Sequence, residues 1–181
     1  LDVVLQRVHL DERALVLATD SQTTFGSRRV SSDNHEASKV RKVGSSLLAG
    51  TGWAAYDNIL DDILARRTPN LGNSRAIFQF FTRLWRELHD KYQFVNDQCA
   101  ETDSPFGDLD STFLIANRRG IYAVESDLSV TEFRTYYAIG SGSSYALGAL
   151  HVLYDRRGDA EKMARAAAKA AIAFDTHCGG E

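Results

Sequence analysis

Four positions carry the residue types that chemistry would need. Asp20 closes an apolar run (Ala14-Leu15-Val16-Leu17-Ala18) and is surrounded by Thr19, Ser21, Gln22, Thr23 and Thr24. A carboxylate at a strand tip can orient a cation or satisfy turn amides, and alone it reads as either. Lys39 opens a second run, Lys39-Val40-Arg41-Lys42-Val43, and reads as a functional cation or as part of a solvated basic edge. Ser141 sits in Gly140-Ser141-Gly142-Ser143-Ser144, just before a helical pattern. Glycines there suit a tight turn, an anion-binding backbone or a hydroxyl-bearing loop. As a dinucleotide fingerprint the stretch fails, because Tyr145 stands where the third glycine belongs. Asp175 falls at the end of the last helical run, where a negative charge opposes the helix dipole unless a donor or cation is near. Cys178 beside His177 invites a thiol-protease reading, but adjacent residues rarely face each other and the surrounding sequence is not papain-like.

These positions need elements to hold them. Val3-Val4-Leu5 and Ala14–Ala18 read as a hairpin across the polar stretch His9–Arg13, and a polar loop follows from Gly26 to Ala37. Lys39–Val43 and Ser46–Gly50 read as two strands turning at Gly44. From Ala54 the period becomes helical, with Tyr56, Ile59, Leu60, Ile63 and Leu64 on one stripe. After the break at Thr68–Gly72, Ser74 is expected to cap a helix with the stripe Ile77, Phe80, Phe81, Leu84, Trp85 and Leu88. An acidic loop with five carboxylates runs from Asp97 to Asp110. Thr112–Ala116 and Ile121–Val124 form a hairpin, Val130–Phe133 and Tyr136–Gly140 are further strands, and Tyr145–Tyr154 is a helix. The last helix, rich in alanine, is capped by Asp159 and runs to about Thr176. Strands, two helices, strands, two helices define an α+β fold. Seven or eight strands and two helix pairs fit a four-layer αββα sandwich, two antiparallel sheets flanked by helix pairs.

Composition bounds the rest. The 181 residues fit a single domain spanning 1–181, and 44% hydrophobic with 25% charged residues is globular. A net charge of −3 argues against nucleic acid or an anionic membrane as partner. Cys99 and Cys178 cannot build a disulfide framework or a zinc site, and the five histidines show no metal spacing, so no cofactor or metal is expected. With no signal peptide and no apolar run of membrane-spanning length, a cytoplasmic location is expected. The sequence opens on Leu1, not Met, so residues ahead of it are expected in the primary product.

Taken together, Ala18-Thr19-Asp20, Lys39-Val40, Leu48-Ala49-Gly50 with Asp57, Ala138-Ile139-Gly140-Ser141-Gly142-Ser143-Ser144-Tyr145-Ala146 and Asp175-Thr176-His177-Cys178-Gly179-Gly180 resemble the proteasome β-subunit family over nearly the whole sequence. Asp20-Ser21-Gln22-Thr23 and the short chain are closest in kind to the bacterial branch, HslV and the bacterial proteasome homologues called BPH. The resemblance implies an N-terminal-nucleophile hydrolase, a threonine-type endopeptidase whose α-amine is its own general base. It implies that Lys39 lies beside the nucleophile and favours its deprotonation, and that Asp20 fixes Lys39. It implies that the Gly50 N–H meets the oxyanion, that Ser141 holds the terminal amine and that Asp175 completes that network. It implies that Thr51, Gly52 and Trp53 shape the pocket for the side chain before the cut. The implied partners are other copies of the chain in a homo-oligomeric double ring of about 12 or 14 subunits, a peptide or unfolded-protein substrate, and an ATP-dependent unfoldase. Two departures stand out. Cys178 occupies a position where the family pattern has serine, and Leu1 has no nucleophilic atom. The spacing from Leu1 to Asp20 is also longer than the family's. Either the nucleophile precedes Leu1, or the protein is a catalytically silent ring component.

Overall fold

The computed structural model describes residues 3–8, 14–25, 28–30, 39–52, 54–92, 109, 111–155 and 158–180. Within them the chain forms ten strands and four helices. Strands β1 (Val3–Val8), β2 (Ala14–Thr19), β3 (Thr23–Phe25), β4 (Arg28–Val30), β5 (Val40–Val43) and β6 (Ser46–Gly52) precede helices α1 (Ala54–Arg66) and α2 (Ser74–Lys91). Then come β7 (Ser111–Asn117), β8 (Gly120–Val124), β9 (Val130–Phe133), β10 (Tyr136–Ile139), α3 (Ser143–Leu153) and α4 (Ala160–Phe174). One antiparallel sheet has the order β5-β6-β7-β8-β9, another β10-β1-β2, and β3 pairs with β4.

Three apolar clusters glue four layers together. Alternate residues of a strand face opposite sides of its sheet, and here both sides are dry. Leu48, Phe113, Ile115, Tyr122 and Val124 pack under the α1–α2 stripes of Ile59, Leu60, Ile63, Ile77, Phe80, Phe81, Leu84 and Leu88. Their neighbours Ala49, Leu114, Ala116, Ile121 and Ala123 face the other way and meet Ile139, Leu15 and Leu17 of the three-stranded sheet. Burial on both faces explains why β7 and β8 read as continuous apolar runs. The third cluster sets Ala146 and Leu150 of α3 and Ala167, Ala168 and Ala171 of α4 against Ala138. Small side chains let that pair approach its sheet closely. Each fully buried Leu, Ile or Phe in these clusters contributes about 1.5–3 kcal/mol.

The expected αββα sandwich is therefore observed, with local corrections. Asn73, not Ser74, caps α2: its backbone is extended (φ −161°) and its side chain accepts the Ala76 N–H at 3.0 Å. Ser74 is the first helical residue. The stretch read as a loop from Gly26 contains β4, whose exposed Arg28 and Arg29 give no apolar signal. Helix α3 begins two residues before Tyr145 and α4 ends at Phe174, not Thr176. Asp159 caps α4 as expected, accepting from the Glu161 and Lys162 N–H groups. Most of the acidic stretch 97–110 lies outside the described residues. Arg41 of β5 forks onto Asp57 (3.0 Å) and Asp61 (3.1 Å) of α1, which pins that helix to the edge of the five-stranded sheet. No helix among the described residues is long and apolar enough to cross a membrane.

Candidate active site

The site gathers at one end of β1. Val3 pairs with Thr19 on one side and with Ile139 on the other. Asp20 follows Thr19 and Gly140-Ser141 follow Ile139, so the aspartate and the serine loop flank the point where the chain enters β1. The second sheet delivers its residues to the same end. Val40 pairs with Ala49, and both pack in the inter-sheet cluster with Ile139 and Leu17. Lys39, immediately before β5, therefore comes up beside Gly50.

Asp20 and Lys39 form a buried ion pair, with side chains 1% and 5% exposed. The Lys39 ammonium donates to Asp20 Oδ1 and, at 2.7 Å, to the Gln22 carbonyl. The second carboxylate oxygen of Asp20 accepts the Gln22 N–H at 3.2 Å and the Gly179 N–H at 3.0 Å. A buried pair with both partners hydrogen-bonded this fully is a fixed object, and removing either member leaves an uncompensated charge. The solvated-edge reading of Lys39 is thereby replaced.

The second group lies across β1. Gly140 takes φ +97°, a conformation that favours glycine, and the Ser143 N–H closes the turn onto the Gly140 carbonyl at 3.1 Å. This turn carries Ser141 to within 3.6 Å of Cys178 Sγ and into a hydrogen bond with the Asp175 carboxylate. Burial pushes the Asp175 carboxyl up, but the His177 N–H at 2.7 Å, the Ser141 hydroxyl and the His177 imidazole outweigh it and hold it below the usual carboxylate range. Its contribution to stability is present at neutral pH and is lost as pH falls through that lowered value. The thiol of Cys178 is fully buried against Ser141, not presented for attack, which removes the thiol-protease reading.

Backbone continuity joins the two groups, because Cys178 meets Ser141 while the next residue, Gly179, meets Asp20. The turn 176–180 is tied down from β2–β4. The Ser21 N–H bonds the Gly179 carbonyl (3.1 Å), Arg29 bonds the Cys178 carbonyl (3.2 Å) and the Gln22 side-chain amide bonds the Thr176 carbonyl (3.2 Å). A Cβ on Gly179 would stand 2.2 Å from Gln22 Oε1 and 2.7 Å from an Arg29 guanidinium nitrogen, so any larger residue would have to displace both side chains. Sequence reasoning missed Gln22 and Arg29 as parts of this site. Their one signal was Gln22's place in the polar cluster after β2. Among the described residues Gln22 Oε1 and Ser21 Oγ are buried without a hydrogen-bond partner, an arrangement that costs about 1–3 kcal/mol for each group.

Gly50 lies opposite Phe113 in the sheet, and a Cβ there would sit 2.8 Å from the Phe113 ring. The missing side chain leaves backbone accessible next to Lys39. Thr51 is half-buried and turns its hydroxyl onto the Thr112 carbonyl at 3.4 Å, while Gly52 is exposed with φ +120°. Trp53 lies outside the described residues. The structure thus brings together Asp20, Lys39, Ser141 and Asp175 with Gly50 alongside, and sets Thr51 and Gly52 on the strand leading away.

No family model matches this sequence. Individual relatives do. The chain is 30% identical to the ATP-dependent protease subunit HslV of Bartonella quintana over 146 residues, 71% of this chain and 76% of that protein. It is 27% identical to the proteasome subunit beta of Nanoarchaeum equitans over 178 residues, 91% of this chain and 83% of that one. Among solved structures, Thiobacillus denitrificans BPH in complex with epoxomicin matches with a TM-score of 0.86 and 34% identity, covering 100% of this chain and 94% of that one. HslV from Trypanosoma brucei shares the fold, with a TM-score of 0.65 at 20% identity. Two antiparallel sheets layered between helix pairs, as in these solved structures, place the chain in the proteasome-like class of N-terminal-nucleophile folds. This chain belongs to the proteasome β-subunit and HslV family, on the side of its bacterial members.

Proposed function

We propose that the protein is a threonine-type peptidase subunit, one domain over residues 1–181, that hydrolyses peptide bonds inside a ring of its own copies. The observation that carries this reading is the convergence of the Lys39–Asp20 and Ser141–Asp175 pairs on the entry to β1. The nucleophile is a threonine, or a serine, just upstream of Leu1. Its hydroxyl attacks the scissile carbonyl and gives its proton to the α-amine of the same residue. Lys39 stabilises the forming alkoxide and keeps the neighbouring amine unprotonated, and Asp20 holds Lys39 in place. The Gly50 N–H donates to the oxyanion of the tetrahedral intermediate. As that intermediate collapses, the protonated amine gives its proton to the leaving amine, and an ester to the nucleophile remains. A water, deprotonated by the same amine, hydrolyses the ester and restores the enzyme. Ser141, backed by Asp175, orients the amine throughout. Thr51 and Gly52 border the substrate side chain.

A peptide α′,β′-epoxyketone tests this directly, because it bonds to a hydroxyl and to a free α-amine on one residue. Epoxomicin, found in complex with the BPH relative, is the first compound to try. The mature protein should gain one inhibitor mass per subunit, with the adduct mapped to its first residue. If the mature protein begins at Leu1 and takes no label under conditions that saturate a proteasome control, the silent ring component replaces the peptidase.

Assembly has its own physical motive. Tyr145, Val152, Leu153 and Phe174 of α3 and α4 are 46%, 82%, 43% and 71% exposed. An apolar face of that kind is normally buried by a neighbour. Light scattering should report about 12 or 14 subunits in a closed double ring, and a stable monomer at micromolar concentration would exclude it. The HslV relatives are named as subunits of an ATP-dependent protease, and an ATP-dependent unfoldase is the partner such a chamber would take.

A further inference from the structure

Gln22 touches both halves of the site through different parts of one residue. Its N–H donates to Asp20 Oδ2 at 3.2 Å and its carbonyl accepts Lys39 at 2.7 Å. Its side-chain amide crosses to the C-terminal turn and donates to the Thr176 carbonyl at 3.2 Å. Thr176 is the residue after Asp175, whose carboxylate holds Ser141. The side chain is 4% exposed, and its oxygen has no partner among the described residues. Packing alone does not call for that choice, since methionine has the same length and no polar atom to strand. The chemistry of the position does call for a neutral donor. A second cation would repel Lys39, and a carboxylate would compete with Asp20 for it while offering nothing to the Thr176 carbonyl.

We propose that the Gln22 side chain is a positioning residue that locks the turn 176–180 to the Lys39–Asp20 pair, so that the lysine and the Ser141 arm hold one register. The proposal rests on the peptidase reading above. The other three tethers fix Cys178 and Gly179, the latter at both its carbonyl and its N–H, whereas among the described contacts from the β2–β4 side Gln22 alone grips Thr176, next to Asp175.

The test uses the mature full-length protein and the variants Gln22→Met and Gln22→Asn, the second keeping the amide but leaving it a methylene short. In both, kcat for a fluorogenic peptide should fall about 3–10-fold, the size one neutral hydrogen bond supports. KM should stay within about twofold, since ground-state binding is untouched. The Gln22→Met protein should keep its thermal midpoint, because the change preserves length and removes the unpartnered oxygen, so a fall in kcat there reports the lost bond and not lost folding. Combined with Ser141→Ala, either variant should cost less than the sum of the two single changes. Backbone amide exchange over residues 176–180 should rise in both variants, a readout that does not depend on turnover. Unchanged kcat with unchanged exchange overturns the proposal, as does a parallel fall of kcat, KM and thermal midpoint. If the parent itself is inactive, it is the peptidase reading that fails, and the exchange result alone decides whether Gln22 is the tether.

Discussion

Replacing Lys39 with methionine is expected to abolish peptide cleavage. An electrostatic group placed at the point where charge develops is worth about 10²-fold or more in rate. Lys39 is the cation bonded to Asp20 at this site. The structure adds a complication to this variant, because Asp20 is 1% exposed and would be left without its counter-charge. Breaking a buried pair on one side costs about 3–5 kcal/mol, a large part of the roughly 5–15 kcal/mol that holds a typical domain together. The single change is therefore expected to lower both activity and thermal midpoint. Lys39→Met combined with Asp20→Asn separates the two effects. The asparagine oxygen can still accept the Gly179 and Gln22 N–H groups, so most of the lost stability should return while activity does not. Turnover of a fluorogenic peptide by well-folded Lys39→Met protein would remove Lys39 from the chemistry.

A single methyl group at Gly50 should be nearly as damaging. The Cβ of Gly50→Ala would stand 2.8 Å from the edge of the Phe113 ring. That ring cannot step aside: it is 1% exposed and lies with its centroid 4.8 Å from that of Phe81 under α2. Overpacking of this kind costs about 1–3 kcal/mol, or about 2–4 °C of thermal midpoint per kcal/mol for a chain of this size. Relief by displacing the strand would move the Gly50 N–H from its proposed oxyanion position, and loss of one such donor costs about 10²–10³ in kcat. Adding Phe113→Leu makes room for the methyl group and should restore part of both. If Gly50→Ala alone retains the parental kcat, the oxyanion donor lies elsewhere.

The layers of this fold were legible because they are periodic. The stripes Ile59–Leu60–Ile63 and Ile77–Phe80–Phe81–Leu84–Leu88 recur at helical spacing, and their burial follows from it. What could not be read were features with no repeat. Strand β4 escaped because Arg28 and Arg29 are exposed and pair only with a three-residue neighbour. Asn73 escaped as a cap because Ser74 beside it is an equally good candidate by composition, and only the extended backbone decides between them. At the site, Asp20, Lys39, Ser141 and Asp175 were each ambiguous alone and became specific only through their order along the chain. Gln22 and Arg29 carried no comparable signal. Their roles come from contacts with backbone carbonyls of residues 154 and 149 positions away, which depend on no side chain at the far end.

The bond from the Gly179 N–H to Asp20 spans 159 positions of sequence. A ribosome adding about 5–20 residues per second takes on the order of 10–30 s to cover that distance. Throughout that interval the growing polypeptide can pair Lys39 with Asp20, yet it lacks the turn that supplies the Gly179 donor, the Cys178 contact to Ser141 and the Asp175 carboxylate. The residues proposed to carry hydrolysis would thus not be complete as a set until synthesis has passed the last helix. On the peptidase reading, a nascent chain would in this way be kept from cutting itself or its neighbours on the polysome, by the order in which its parts are made.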